Sequence, residues 1–417
     1  MERAILVITH LKKDRNAWEA EEDVQELIEL TRSSGCEVLA QVKAEVTHPN
    51  PAYFIGSGKA QEVALLAQEK GADVVIFNDD LSSTQQRNLE DVLNIKTIDR
   101  TQLILDIFAQ HAKSAEGKIQ VELAQVEYLL PRLSGKGIML SRLGGGIGTR
   151  GPGEQKLEVD RRRIRKRITR LRQDLEKISQ RRQALRKKRK EVDIPTVAII
   201  GYTNAGKTSL INTLTSSEEL VRDSLFSTLD SVSRRYVLPD KQKILFLDTV
   251  GFLHRLPHNL IEAFKSTLEE VVEADILLHV LDISDPLAQK KKDAVYEVLA
   301  ELEIRDKPII TVLNKIDKIE RPDFTERQLS RYENSVAISA LNKLGIEELI
   351  RKITNRLVRQ VALLKTFVPQ EKFRLLNLIY AEGEILKESY QDRGVYIEAK
   401  VPYIVRDRLL SLLKDKD

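Results

Sequence analysis

Short apolar, β-branched runs alternate along most of the chain with stretches of helical spacing, and that rhythm is interrupted once by a long heptad pattern. Ala4 to Ile8, Glu37 to Val46, Asp73 to Phe77 and Ile95 to Ile98 have the length and composition of strands, with helices starting from Trp18, Gly58 and Ser83 between them. Residues 1–100 therefore read as an N-terminal α/β domain. Apolar positions at Ile119, Leu123, Val126, Leu130 and Leu133 then fall 4, 3, 4 and 3 apart. Leu157, Ile164, Ile168, Leu171, Leu175, Ile178 and Leu185 keep the same phase. Two such seams joined by a loop predict an antiparallel coiled-coil hairpin over 101–193, its second helix on the order of 50 Å long at 1.5 Å per residue. Val192-Asp193-Ile194-Pro195 breaks that helix. Strand-like runs return at Thr196 to Ile200, Lys243 to Leu247, Ala274 to Asp282 and Pro308 to Leu313, so 194–363 is expected to hold a mostly parallel, doubly wound sheet with its ligand at the strand carboxyl ends. In the last stretch, 364–417, Glu371 to Leu386 reads as a helix, Gly394 to Val401 as a strand and Val405 to Leu413 as a helix, giving a small C-terminal α+β unit. The fold class is α/β multidomain.

The third domain carries its chemistry in sequence order. Gly201-Tyr202-Thr203-Asn204-Ala205-Gly206-Lys207-Thr208 fits G-x-x-x-x-G-K-[ST], a loop between strand and helix whose backbone N–H groups wrap phosphates while a lysine offsets their charge. Ser209 follows on the helix. Asp248-Thr249-Val250-Gly251 ends the next strand run. Asn314-Lys315-Ile316-Asp317 selects the base, because a carboxylate accepts from the N–H donors on the guanine edge and would be left unpaired against adenine. Ser339-Ala340 completes the set. Four elements in register point to a GTP-binding switch domain, with Lys207 bridging the β- and γ-phosphates, Thr208 ligating Mg²⁺, Asp248 holding a Mg²⁺-bound water, Gly251 N–H sensing the γ-phosphate, and the backbone around Ser339 and Ala340 meeting O6. After Gly251, where Ras-like proteins place a water-orienting glutamine, stands Phe252. A phenyl ring cannot orient water, so slow unaided hydrolysis is expected. His254 and His258 lie close by but are read as loop residues rather than catalysts.

Charge changes the picture of the hairpin. The net charge is only +4, but residues 161–190 hold 16 Lys and Arg against 2 Asp and Glu, a local +14 that leaves −10 on the other 387 residues. A charge run of this kind is either a solvated helix face or an electrostatic footprint for nucleic acid, and the acidity of the remainder favours the footprint. Residues 134–153 contain eight of the 19 glycines together with Lys136, Arg142 and Arg150, a tip that would order against a partner such as folded RNA. The candidate RNA-binding residues are Arg142, Arg150, Arg161, Arg162, Arg163 and Arg165. A lone cysteine, Cys36, excludes an intrachain disulfide and a thiolate metal cluster. With no apolar run near the roughly 20 residues of a membrane span and no secretory or organellar leader after Met1-Glu2-Arg3, a cytoplasmic location is expected. In the N-terminal domain, Gly56-Ser57-Gly58-Lys59 between strand and helix reads first as a structural turn and second as a weak phosphate site.

The chain resembles the HflX-type GTPases through Gln120-Val121-Glu122-Leu123-Ala124-Gln125, Leu130-Pro131-Arg132-Leu133, the glycine-rich run from Gly144 to Glu154, and Leu256-Pro257-His258. The resemblance implies an N-terminal α/β domain and helical hairpin ahead of the GTPase domain, GTP-dependent binding to the large ribosomal subunit and its RNA, and splitting of stalled ribosomes, with the hairpin tip approaching the peptidyl-transferase region. It also makes Thr228, within Phe226-Ser227-Thr228-Leu229-Asp230, the second hydroxyl on Mg²⁺ and a participant in hydrolysis beside Lys207 and Gly251. Some members bind ATP through the N-terminal domain, and here Ser57 stands where a lysine is more usual in that turn. Two alternatives stay open: an ATP-driven RNA-remodelling enzyme, and a signalling switch whose hairpin binds a protein.

Overall fold

The computed structural model describes residues 1–11, 20–133, 152–191, 194–215, 232–253, 265–304, 306–320, 322–357 and 361–414. Contacts divide the chain into two compact units, one reaching from Met1 to Ser179 and one made largely of the chain beyond it.

In the first unit, β1 (Arg3–Leu11), β2 (Glu37–Val46), β3 (Val74–Phe77) and β4 (Lys96–Ile98) form a parallel sheet of order β2-β1-β3-β4. Ala4 to Ile8 and Val74 to Phe77 are wholly buried, as central strands covered on both faces must be, and this is why they read as unbroken apolar runs. Around them lie α1 (Ala20–Ser33), α2 (Ser57–Lys70), α3 (Ser83–Leu93) and α4 (Arg100–His111). Two starts are set by side chains: Ser82 and Gln85 close a capping box on α3, and Asp99 accepts from Gln102 N–H to cap α4.

The hairpin pairs α5 (Ala115–Arg132) with α6 (Pro152–Glu191). Leu123, Ile168 and Leu171 form its buried seam, with Ile119, Val126, Leu130, Ile164 and Leu175 packed against them. Glu122 with Arg167 and Glu127 with Arg172 bridge the two flanks at 2.6 and 2.7 Å. In heptad terms these are g-to-g and e-to-e contacts, the flank pairing of antiparallel helices. The end of α5 is fixed to the sheet. Arg132 bonds the fully buried Asp99 at 2.9 Å and the Leu81 carbonyl at 2.7 Å, and its guanidinium lies 3.4 Å over the Tyr128 ring. Burial pushes the Asp99 carboxyl up, against the pull of the Gln102 N–H and Arg132. The Leu130-Pro131-Arg132-Leu133 segment thus has a plain structural role, locking the stem just before the glycine-rich stretch.

In the second unit, β5 (Thr196–Gly201), β6 (Val232–Val237), β7 (Lys243–Asp248), β8 (Ile276–Asp282), β9 (Ile309–Asn314) and β10 (Ser335–Ala337) form a six-stranded sheet of order β10-β9-β8-β5-β7-β6. Only β6 runs antiparallel to its neighbour. The helices α7 (Lys207–Thr215), α8 (Lys265–Glu273), α9 (Ala288–Glu301), α10 (Pro322–Arg331) and α11 (Ile346–Leu357) accompany it. Val197, Ile199, Phe246, Leu278, Val280 and Val312 are among its fully buried core.

The C-terminal part departs from the sequence reading. Glu371 to Leu386 is not one helix: α12 (Arg374–Glu382) ends at Gly383, whose backbone is extended, and β12 (Glu384–Gln391) follows. A further strand, β11 (Val361–Pro369), precedes it, so with β13 (Gly394–Pro402) there is a three-stranded antiparallel sheet of order β11-β13-β12, closed by α13 (Tyr403–Lys414).

Candidate nucleotide-binding site

Strand order places the site. β5 lies between β8 and β7, and their carboxyl ends deliver Gly201, Asp282 and Asp248 to one edge of the sheet, with Asn314 next along at the end of β9. The phosphate loop opens directly into α7, which begins at Lys207. Lys207 is buried, and its Nζ donates to the carbonyls of Gly201 at 3.0 Å and Tyr202 at 2.7 Å. Burial pulls the pKa of this ammonium down to about 8, against the attraction of Asp248. Thr208 Oγ1 stands 3.4 Å from Asp248 Oδ2, and Asp248 is itself fully buried. The phosphate-loop lysine and hydroxyl and the strand-end carboxylate are therefore brought together.

Three glycines of the site are required by close approach, beginning with Gly201, where a Cβ would stand 2.3 Å from the Val280 carbonyl oxygen. A Cβ on Gly206, whose φ is +94°, would stand 2.3 Å from Asn314 Nδ2, and one on Gly251 would stand 2.7 Å from Thr203 Cγ2 and 3.1 Å from Lys207 Nζ. Gly251 thus lies directly against the phosphate loop. Phe252 beside it is 2% exposed and is tied to the loop through its backbone: it accepts from Thr203 N–H at 2.8 Å and donates to Gly201 O at 3.2 Å.

The Asn314-Lys315-Ile316-Asp317 segment is stitched to the same loop. Asn314 donates to the Ala205 carbonyl at 2.8 Å and accepts from Ala340 N–H at 3.0 Å, and the Ala340 carbonyl in turn accepts from Thr213 Oγ1 at 2.8 Å. Lys315, in left-handed backbone, bridges the Asn204 carbonyl at 2.8 Å and Asp282 at 2.7 Å. Ser339 is buried and its Oγ accepts from Asn342 N–H at 3.0 Å. Asp317, by contrast, is exposed on a single 3-10 turn. Asn314 therefore ties the phosphate loop to the Ser339-Ala340 loop, while Asp317 is left exposed. Ser209 lies on the first turn of α7 and is half-buried.

Sequence reasoning missed Asp282 and Thr203. Asp282 ends β8 as Asp248 ends β7, and that strand-end position was its signal. Thr203 is buried, with a hydroxyl that has no hydrogen-bond partner among the described residues, and nothing in the sequence pattern singles it out. Thr228, Arg142, Arg150, His254 and His258 lie outside the described residues.

The basic helix sorts its cations by angle. Relative to the Ile164, Ile168 and Leu171 seam, Arg167 and Arg172 sit on the flanks and are paired with Glu122 and Glu127. On the far side, Arg162, Arg165, Lys166, Arg170 and Lys177 line a shallow open groove along the helix, and Lys177 meets Asp174 at 3.2 Å. Arg163 pairs loosely with Asp160 at 3.6 Å, and Arg161 flanks the groove without lining it. The four arginines singled out in the sequence thus do not share one role: Arg162 and Arg165 face outward, and Lys166 and Arg170 join them. In the N-terminal sheet, the Gly56 turn opens α2 and Lys59 is drawn to Glu62 at 2.8 Å.

Comparison with known proteins fits this arrangement. Residues 21–109 match the N-terminal region and 111–189 the middle region of GTP-binding GTPases, and 196–315 match a domain described as a 50S ribosome-binding GTPase. The chain is similar to GTPase HflX of Caldanaerobacter subterraneus, 45% identical over 99% of this chain and 94% of that protein. It is similar also to GTPase HflX of Escherichia coli, 42% identical over 98% and 95%. Among solved structures, a GTP-binding protein of Sulfolobus solfataricus in complex with GDP is 29% identical, with a TM-score of 0.45, over 86% of this chain and 99% of that one. No helix among the described residues is long and apolar enough to cross a membrane. The chain belongs to the HflX family of GTPases, and its reaction is the hydrolysis of GTP.

Proposed function

We propose that this GTPase binds the large ribosomal subunit through its RNA and uses the GTP-bound state to split or remodel stalled ribosomes. The observation that carries the reading is the division of labour along the basic helix: flank arginines are neutralised across the hairpin, while Arg162, Arg165, Lys166 and Arg170 have no ion pair among the described residues. From Arg162 to Lys177 the outward stripe is about 20 Å long at 1.5 Å per residue, which matches several phosphates of an RNA backbone. The cytoplasmic location follows from such a partner. The chain then divides into an N-terminal domain that ends with α4, the hairpin of α5 and α6, a GTPase domain that ends with α11, and a small unit that begins with β11 at Val361, so the boundaries expected after 100 and 363 move to the ends of these elements.

In the nucleotide site, Lys207 would leave the Gly201 and Tyr202 carbonyls for the β- and γ-phosphate oxygens. Phosphate charge then restores an ammonium that burial alone disfavours. Gly251 N–H would report the γ-phosphate to the phosphate loop it already abuts. Asp317 would accept from the guanine edge, with Asn314, Lys315, Ser339 and Ala340 holding the base loop against Asn204, Ala205 and Gly206. The oxygens of Thr208 and, through water, Asp248 fit Mg²⁺, a hard cation, with Thr228 as the further hydroxyl; bound there, the ion would neutralise the β- and γ-phosphates. Phe252 supplies no water-orienting group, so that group must come from elsewhere, and the ribosome is the proposed source. Turnover by the isolated chain should be slow and at least tenfold faster with purified large subunits, about 1.4 kcal/mol off the barrier.

A further inference from the structure

The C-terminal sheet has one covered face and one open face. Leu364 and Val368 of β11 and Val395, Ile397, Ala399 and Val401 of β13 are buried against Leu376 and Ile379 of α12 and Leu409 of α13. By the period of a strand, Leu363, Lys365 and Phe367 and, on β13, Tyr396, Glu398 and Lys400 point the other way. Phe367 is directly opposite Tyr396 in the antiparallel register, and Phe367 is 39% exposed. A Cβ built on Gly394 would meet Phe367 Cζ at 2.8 Å, so the phenyl reaches over that glycine. A structural reason exists for a ring at this place, since it shields a glycine in the central strand. That reason does not account for a second aromatic directly opposite it, nor for the 39% exposure of Phe367.

Charge narrows the occupant. Lys365 with Glu398 at 3.2 Å and Lys400 with Glu384 at 3.3 Å pair across the strands, which leaves Lys387, opposite Glu398 on β12, as a single excess positive charge, so this face is close to neutral. A duplex, held by phosphate charge, has little to grip. Unpaired bases do, because every base has a π-face, and half-exposed lysines in pairs worth little can turn toward a passing phosphate. The element order agrees. β11, α12, β12, β13 and α13 are the first five elements of a β-α-β-β-α-β unit, an arrangement whose open sheet stacks two or three bases on aromatics in RNA-recognition modules. Here the aromatics stand on the first strand and on the third, which is the central one.

We infer that this open face is a binding platform for single-stranded RNA, with bases stacking on Phe367 and Tyr396. The inference goes beyond the ribosomal reading and needs neither the basic helix nor an intact subunit. The test uses the full chain with GDP, a uridine octanucleotide carrying 4-thiouridine, and the same sequence as a duplex. After irradiation, cross-linked peptides are mapped. Cross-links should appear within 361–402, centred on Phe367 and Tyr396, and should be absent with the duplex. Phe367→Leu keeps Gly394 covered, and with Tyr396→Leu it should lower the yield there by roughly fivefold or more per ring. Phe367→Tyr and Tyr396→Phe should retain it. Replacing Arg162, Arg165, Lys166 and Arg170 by Gln should leave these cross-links in place, so failure here and failure of the ribosomal reading are separable. Cross-links confined to other segments, or yields unchanged in both leucine variants, would overturn the inference and leave the face to a protein partner.

Discussion

Asp317 and His279 show how single residues divide between ligand and fold. Asp317 is exposed while its neighbours Asn314 and Lys315 are committed to holding loops together, so base choice should rest on its carboxylate. Asp317→Asn presents a donor as well as an acceptor and should cut the preference for guanine over xanthine by roughly 10- to 100-fold, read by nucleotide competition. Retained guanine selectivity would place base recognition elsewhere. His279 is the opposite case. It is fully buried on β8 beside the phosphate-loop strand, neither ring nitrogen has a partner among the described residues, and it meets Tyr296 edge to face at 5.5 Å. Burial, with Lys292 and Lys207 nearby, pulls its pKa down to about 3 from an ordinary 6.5. The unfolded chain therefore takes up a proton in that window that the folded chain refuses. Stability should fall as pH drops from about 6.5, by an amount on the order of a few kcal/mol at the acid end. His279→Leu should flatten that limb in acid unfolding followed by circular dichroism. An unchanged acid limb would mean that other groups govern it.

At the scale of elements, the parallel strands were legible because a strand covered on both faces needs an unbroken apolar run, as in Val74 to Phe77 and Val197 to Ile200. The hairpin was legible from its heptads for a similar reason. What the pattern could not separate was one arginine from another: Arg167 pairs across the hairpin and Arg165 does not, and only their angle about the seam distinguishes them. β11 and β12 escaped because each buries one face only. β12 is largely polar, and β11 follows closely on α11, so neither stands out from helical sequence. The site's motif residues were likewise readable, but the bonds from Asn314 to Ala205 and Ala340 depend on loops distant in sequence. For the basic helix the consequence is specific. Gln at Arg162, Arg165, Lys166 and Arg170 should flatten the slope of log affinity for large subunits against log salt by about 3, near one unit per lost phosphate contact. Gln at Arg167 and Arg172 should loosen the hairpin instead and leave the slope nearly unchanged. If the outward set leaves the slope intact, that face is merely solvated.

At the scale of the whole molecule, a GTP site with Phe252 rather than a water-orienting side chain after Gly251 is joined in one chain to a hairpin whose outward face carries Arg162, Arg165, Lys166 and Arg170. The two belong together only if the partner completes the catalyst. GTP turnover by the purified full-length chain, measured with and without purified large ribosomal subunits at fixed salt, tests this most directly. Phosphate release by the chain alone should be slow, and subunits should raise it at least tenfold, about 1.4 kcal/mol, with a smaller increase in the outward arginine and lysine variant. Equal rates with and without subunits would contradict a ribosome-completed catalyst.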